Sequence, residues 1–192
     1  MTIQAEIETA PDWRRLISLA VTRRTQSRYA GYTAALRGAA VSATERNAYA
    51  HTEPYLSSLN QRQRLGARRA AGICAASPGA HQPSRKGDGK SPYRPIGQSL
   101  RDLYVVVNKA DPSTLDGNGL VNNAMLMQIN SLPMLDVEQA AAVFGLLVSR
   151  CSDHGITVDY FDMARTLIDW GNGISTKSQQ ARSRVLTAFY SS

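Results

Sequence analysis

The sequence predicts an all-α protein of two helical bundles that meet near residues 111–119. Three observations carry this. Apolar residues recur at i, i+3 and i+4 in nearly every segment. No pair of alternating strands is present. A turn-rich stretch, Asp111-Pro112 and then Gly117-Asn118-Gly119, interrupts the helical pattern. That junction divides the chain into residues 1–110 and 111–192.

The elements follow in order. Asp12 is placed to cap a helix whose apolar stripe is Trp13, Leu16, Ile17, Ala20 and Val21, with Arg14, Arg15, Arg23, Arg24 and Arg28 on its other sides. A second helix covers Tyr32 to Ala40, with Leu36 inward and Arg37 facing elsewhere. Tyr49 to Leu59 reads as a turn and a short helix punctuated by Pro54. Gln61 to Ala76 is a helix rich in alanine and arginine. Ser77 to Pro95 holds four prolines, three glycines and almost nothing apolar, and reads as a long basic loop. A helix resumes at Ile96 and runs through Leu100, Leu103, Val106 and Val107, with a strand at the β-branched Val105-Val106-Val107 as the minor alternative. After Leu120 to Ile129 come three further helices, each with a start signal. Asp136 with Gln139 forms a capping-box pattern, Asp159 and Asp162 open the next helix, and Thr176 with Gln179 opens the last.

Composition narrows the function. Hydrophobic residues at 43% and charged residues at 19% are ordinary for a globular chain of 192 residues. No apolar run approaches the roughly 18 residues of a membrane span, and the acidic start broken by Pro11 is unlike a signal peptide, so the expected location is the cytoplasm. Cys74 and Cys151 have no partner motif and are expected to be buried free thiols, with a disulfide between them as the minor alternative. His51, His81 and His154 have no second ligand at a metal-binding spacing, so neither metal nor cofactor is expected. The net charge is +7, and it is unevenly spread: Met1 to Arg101 holds 16 basic against 6 acidic residues, and Asp102 to Ser192 holds 6 against 9. Such a surplus favours polyanion partners, and arginine presents a fork of donors suited to phosphate oxygens.

The candidate binding residues are basic. Arg62, Arg64, Arg68 and Arg69 lie within eight residues. Arg64 and Arg68 share a helix side, whereas Arg62 and Arg69 lie nearer Leu65 and Ile73. No acid lies between Pro54 and Gly87, so these charges lack partners nearby in sequence. Arg85, Lys86 and Lys90 of the loop, with Arg94, extend the candidate surface. Arg37 and Arg101 are single contributors, and Lys177, Arg182 and Arg184 mark the last helix. The alternative for each is a solvated helix face or an arginine stem covering the core. The carboxylates Asp159, Asp162 and Asp169 could suggest catalysis. Helix N-termini favour acids, which accounts for the first two, and Asp169 has no evident basic or histidine partner. Nucleophile elbow, phosphate loop and dinucleotide motif are all missing.

The order and spacing of several short pieces carry a resemblance. They are Ala35-Leu36-Arg37, the Arg62 to Ala76 helix with its following loop, Ile96-Gly97-Gln98-Ser99-Leu100, Val158-Asp159-Tyr160 with Met163-Ala164-Arg165, Trp170-Gly171, and a closing amphipathic helix with Phe189. From about Trp13 to Tyr190 the chain resembles the small subunit of the type I-E CRISPR Cascade surveillance complex, the CasB family. The resemblance implies two helical bundles packed side by side and two copies along the inner face of the complex. It also implies contacts with the subunits that form the guide RNA's backbone, with crRNA and with opened target DNA (the R-loop), and no catalytic role. Base pairing then reads the sequence, and the protein needs only backbone contacts. One departure stands out. Family members commonly carry arginines on the first two helices of the C-terminal lobe, whereas Leu120 to Gln128 offers Asn122 and Asn123, and the next helix only Arg150. The alternative function, a free-standing helical DNA-binding regulator, requires polar base-reading residues at the start of a recognition helix, and the Arg62 to Arg69 segment offers charge without a clear reader.

Overall fold

The computed structural model describes residues 12–77, 94–109, 124–171 and 174–191. The first apolar stripe forms helix α1 (Asp12–Arg23), which buries Leu16, Ile17 and Ala20. A 3-10 turn, Ser27–Tyr29, leads into α2 (Ala30–Gly38), where Leu36 is buried and Arg37 exposed as the pattern requires. The punctuated stretch that follows becomes a single turn, α3 (Tyr49–Thr52), between the 3-10 turns Glu45–Ala48 and Glu53–Tyr55, with Pro54 inside the second.

Helix α4 (Gln61–Ala76) matches its sequence bounds. Asn60 and Gln63 close a reciprocal capping box, the Asn60 side-chain oxygen accepting the Gln63 N–H at 3.0 Å and the Gln63 side chain accepting the Asn60 N–H at 3.1 Å. Helix α5 (Ile96–Asn108) takes Val105, Val106 and Val107 into the helix, so the strand alternative is set aside. It ends on Lys109 in the left-handed region (φ 50°). Then come α6 (Ala124–Ser131), α7 (Val137–Asp153), α8 (Tyr160–Trp170) and α9 (Thr176–Tyr190). No β-strand occurs among the described residues; Val158 makes an isolated bridge. The Asp136–Gln139 capping box is present in both directions, at 2.8 and 3.2 Å. The start of α9 needs a correction. Ser175, not Thr176, is its cap, its hydroxyl accepting the Ser178 N–H at 3.3 Å, because Thr176 already has helical backbone.

Helix α4 is the centre of the molecule, packing against α1, α2, α7 and α8. Every residue from Gly66 to Ala75 is buried, and most are alanine or glycine. Small side chains allow the neighbouring backbones to come close. A Cβ on Gly66 would run into the Leu167 carbonyl of α8, and one on Gly72 into the backbone at Ala39 and Ala40. The remaining helices close around this axis, with α9 packed on both α5 and α8. Residues before and after the junction contribute to one contiguous apolar cluster, from Leu16 and Leu36 through Ile73 and Cys74 to Phe144, Trp170 and Phe189. The junction at 111–119 and residues 78–93 of the basic loop lie outside the described residues.

Candidate nucleic-acid interface

The α4 arginines are placed by the helix that the capping box starts, and three of them have acid partners that are distant in sequence. Arg69 is 1% exposed. Its guanidinium donates to the Ala39 carbonyl at 2.9 Å and forms ion pairs with Glu45 at 2.7 Å and Glu138 at 2.6 Å. Arg68 pairs with Glu45 at 2.8 Å and Glu53 at 2.7 Å and lies over the Tyr49 ring. Arg64 reaches Glu53 at 3.2 Å and the Leu59 carbonyl at 2.8 Å. These cations lack acid partners nearby in sequence, and the fold supplies them from a distance. The 3-10 turns around α3 deliver Glu45 and Glu53, and the first turn of α7 delivers Glu138. A guanidinium held by carboxylates and carbonyls has fewer donors and less uncompensated charge to offer a phosphate. Arg69, moreover, has no path to solvent. Of the four, Arg62 alone is exposed and makes no ion pair among the described residues.

The network affects its carboxylates. Hydrogen bonds from Arg69 and Ser42 hold the Glu138 carboxyl below its ordinary range. The Tyr49 hydroxyl, donating to Glu45 at 2.9 Å, is raised by that hydrogen bond and by the Glu45 charge.

The other candidates separate into bound and accessible side chains. Arg37 is exposed, and its Nε donates to the Ala75 carbonyl at 3.1 Å, while Arg24 donates to the Cys74 carbonyl at 3.0 Å. Helix α4 has no basic residue in its own last turn; these two supply positive charge to its carbonyl end from α1 and α2. Arg94 pairs with Asp102, and Arg101 donates to the Ser191 carbonyl; both line a shallow cleft with Gln98, Val105 and Ile156. Arg182 is tied to the Pro133 carbonyl at 2.7 Å and lies over Trp170. Arg184 donates to the Thr166 hydroxyl at 2.9 Å. Lys177 is exposed at the start of α9. Gly171 abuts the Arg62 carbonyl, so Arg62 and Lys177 mark one end of α4 and Arg37 the other, about 24 Å away for 16 residues at 1.5 Å each. Arg85, Lys86 and Lys90 lie outside the described residues. The sequence reading gave no binding role to the arginines of α1 and of the 3-10 turn after it, yet Arg14, Arg15, Arg23 and Arg28 make no ion pair among the described residues.

The carboxylates have structural work. Asp159 caps α8, accepting the Phe161 and Asp162 N–H groups at 2.9 and 3.1 Å. Asp162 is 3% exposed and reaches across to accept the Ile96 N–H at 2.8 Å, capping α5 from another helix. Asp169 does have a basic neighbour, Arg165, one turn earlier at 3.8 Å. Cys74 and Cys151 are both buried free thiols. Burial pushes both thiols up, Cys151 to about 12. Among the described residues no group of three His, Cys, Asp or Glu could hold a metal ion, and no helix is long and apolar enough to cross a membrane.

Comparison with known proteins bears on the whole arrangement. The family model of the CRISPR-associated protein Cse2 matches residues 32–190. No curated protein sequence matches. The fold is similar to the crystal structure of TTHB189, a CRISPR-associated protein of the Cse2 family from Thermus thermophilus, with a TM-score of 0.65 at 16% identity over 94% of this chain and 99% of that one. It is also similar to a chain of a CRISPR RNA-guided surveillance complex in a pre-nicking state, with a TM-score of 0.63 at 16% identity over 93% of each chain. A chain of a second CRISPR RNA-guided surveillance complex gives a TM-score of 0.62 over the same shares.

Proposed function

We propose, given that the chain belongs to the Cse2 family of CRISPR-associated proteins, that it is a non-catalytic, nucleic-acid-holding small subunit of a Cascade-type surveillance complex. It would help to keep crRNA and opened target DNA in place through contacts with phosphates. The observation that carries this reading is the likeness, along 93% of both chains, to a component of an RNA-guided surveillance complex. The surplus of positive charge is in keeping with it. Its partners are then crRNA, target DNA, the other Cascade subunits and a second copy of itself, and its place is the cytoplasm. Among the described residues, Arg37, Arg62 and Lys177 are the exposed side chains from the sequence reading that remain accessible for such contacts. Asp159 and Asp162 are occupied as caps of α8 and α5, which supports a role without catalysis.

Co-purification with a tagged, crRNA-loaded complex tests the assignment. The protein should be retained, and should protect the displaced strand of the target from nuclease. Failure to join the loaded complex, or metal-dependent cleavage of nucleic acid abolished by Asp162→Asn, overturns it.

A further inference from the structure

The chain's positive charge is neutralised in one region and left open in another. Around α4 each of Arg64, Arg68 and Arg69 meets at least one carboxylate. Residues 12–37 hold six arginines against one acid, Asp12. Two of the six, Arg24 and Arg37, donate to carbonyls at the C-terminal end of α4. Among the described residues the remaining four lie against aromatic rings rather than carboxylates. Arg14 lies over Trp13 at 5.5 Å and Arg15 over Tyr55 at 6.0 Å. Arg23 lies 4.5 Å from the centroid of Tyr29 and 4.9 Å from that of Tyr32, and Arg28 lies 4.8 Å from the centroid of Tyr29. Tyr32 is in turn held edge-on by His51, with ring centroids 5.2 Å apart and planes at 71°. The result is a ladder at the corner between α1 and α2, in which two guanidiniums share one tyrosine.

Stacking on a ring restricts a guanidinium's rotamers but consumes none of its five N–H donors. A carboxylate partner would consume them, and among the described residues Arg23 and Arg28 have none. The side-chain acceptor that this pair does meet is neutral: the Arg28 Nε donates to the Gln26 side-chain oxygen at 3.1 Å. Two like charges held against one ring repel each other until a polyanion lies across them. Their donors are therefore both oriented and available, which suits bidentate contacts with non-esterified phosphate oxygens.

We infer that the α1–α2 corner is a phosphate-backbone clamp for a nucleic-acid strand, with Arg23 and Arg28 as the contacting groups and Tyr29 as the ring that positions both. This rests on the nucleic-acid-holding role proposed above. It moves the main contact surface away from the arginine-rich α4 and onto residues that the family resemblance did not single out.

The probe is a fluorescent single-stranded oligothymidylate of about 20 nucleotides, titrated at several salt concentrations. Arg23→Gln/Arg28→Gln should weaken binding about tenfold or more. It should also flatten the log–log salt dependence by about 1.4, two phosphate contacts at about 0.7 each for single strands. Arg150→Gln/Arg165→Gln removes the same net charge from α7 and α8 and should change affinity less than about threefold. Tyr29→Leu keeps every charge and should weaken binding with little change of slope. If the wild type binds and the Arg23/Arg28 variant behaves like the Arg150/Arg165 control, the clamp is refuted while the broader role stands. If the wild type fails to bind at low salt, both fall. Should the double variant prove misfolded by circular dichroism, Arg28→Gln alone decides. Arg28 is exposed, and the slope should then fall by about 0.7; an unchanged slope refutes the clamp.

Discussion

Replacing Arg69 by alanine should destabilise the fold severely without weakening nucleic-acid binding by the protein that remains folded. The side chain is 1% exposed, and three elements converge on its guanidinium: Ala39 after α2, Glu45 in the turn before α3, and Glu138 at the start of α7. Truncation leaves the Ala39 carbonyl without this donor. It also removes one of the two cations that face Glu45, whose side chain is only 10% exposed, and it leaves a void where the buried side chain stood. Breaking one partner of a buried pair typically costs about 3–5 kcal/mol, a large part of the roughly 5–15 kcal/mol by which domains are stable. For a domain of this size each kcal/mol moves Tm by roughly 2–4 °C, so Tm should fall by about 6–20 °C.

Arg64→Ala is the internal control. That ion pair is about one-third exposed on both sides, at 35% and 36%, so solvent screens it. It should contribute at most about 1 kcal/mol, with about another from the hydrogen bond to Leu59. Thermal melts followed by circular dichroism at about 222 nm, the helix band, compare the two, and the oligonucleotide titration is run well below the lower Tm. A loss of Tm under about 3 °C for Arg69→Ala would show that the pair network does not hold α2, α3 and α7 onto α4. An unchanged Tm with a shallower salt slope would show that Arg69 meets phosphate, against its burial.

Three other outcomes follow from the same geometry. Because Glu138 is held below its ordinary carboxylate range, the unfolded chain takes up a proton there before the folded one does. Its contribution to stability is therefore present above about pH 4.5 and fades as pH falls through the folded value; Tm measured against pH should drop less steeply below that point in Glu138→Gln. Gly66→Ala should lower Tm, because a clash with the Leu167 carbonyl costs about 1–3 kcal/mol against about 1 kcal/mol of helix propensity gained, whereas Gly31→Ala, with nothing within 4 Å, should raise it. Neither cysteine should react with a thiol reagent near pH 8 until denaturant is added, since both are buried and Cys151 is pushed up to about 12; rapid labelling of the native protein would contradict their burial.

What the sequence made legible was local. The capping box at Asp136 and Gln139, the stripe of α1 and the bounds of α4 all depend on residues within a turn or two of one another, and all are present. What it concealed was pairing over distance. Arg69 and Glu138 are 69 positions apart, and no rule of helical spacing connects them. No acid lies between Pro54 and Gly87, and the partners Glu45, Glu53 and Glu138 all come from outside that stretch. A signal did exist. Arg69 lies four residues after Leu65 and four before Ile73, on the stripe that the sequence reading already associated with apolar neighbours. An arginine on such a stripe points toward the core and needs a buried acid. The start of α9 was displaced by one residue because serine and threonine are adjacent there and both can cap.

The distribution of acids, more than the distribution of arginines, decides where this protein can hold a polyanion. A count along the chain makes Arg62 to Arg69 the most basic helix, but folding delivers three glutamates to it and turns its charge inward as the fastening between α4 and its neighbours. Among the described residues the same folding brings aromatic rings, not carboxylates, to Arg14, Arg15, Arg23 and Arg28. Charge density in sequence and the charge left after pairing therefore rank the two surfaces differently. Coulomb attraction to a nucleic-acid strand depends on the charge left after internal pairing, and on donors that are not already engaged. By that measure the exposed corner of α1 and α2 outranks α4. A family fold shared at 16% identity leaves room for such a surface to be placed differently in each member, because the helices can be kept while the acids that neutralise them move.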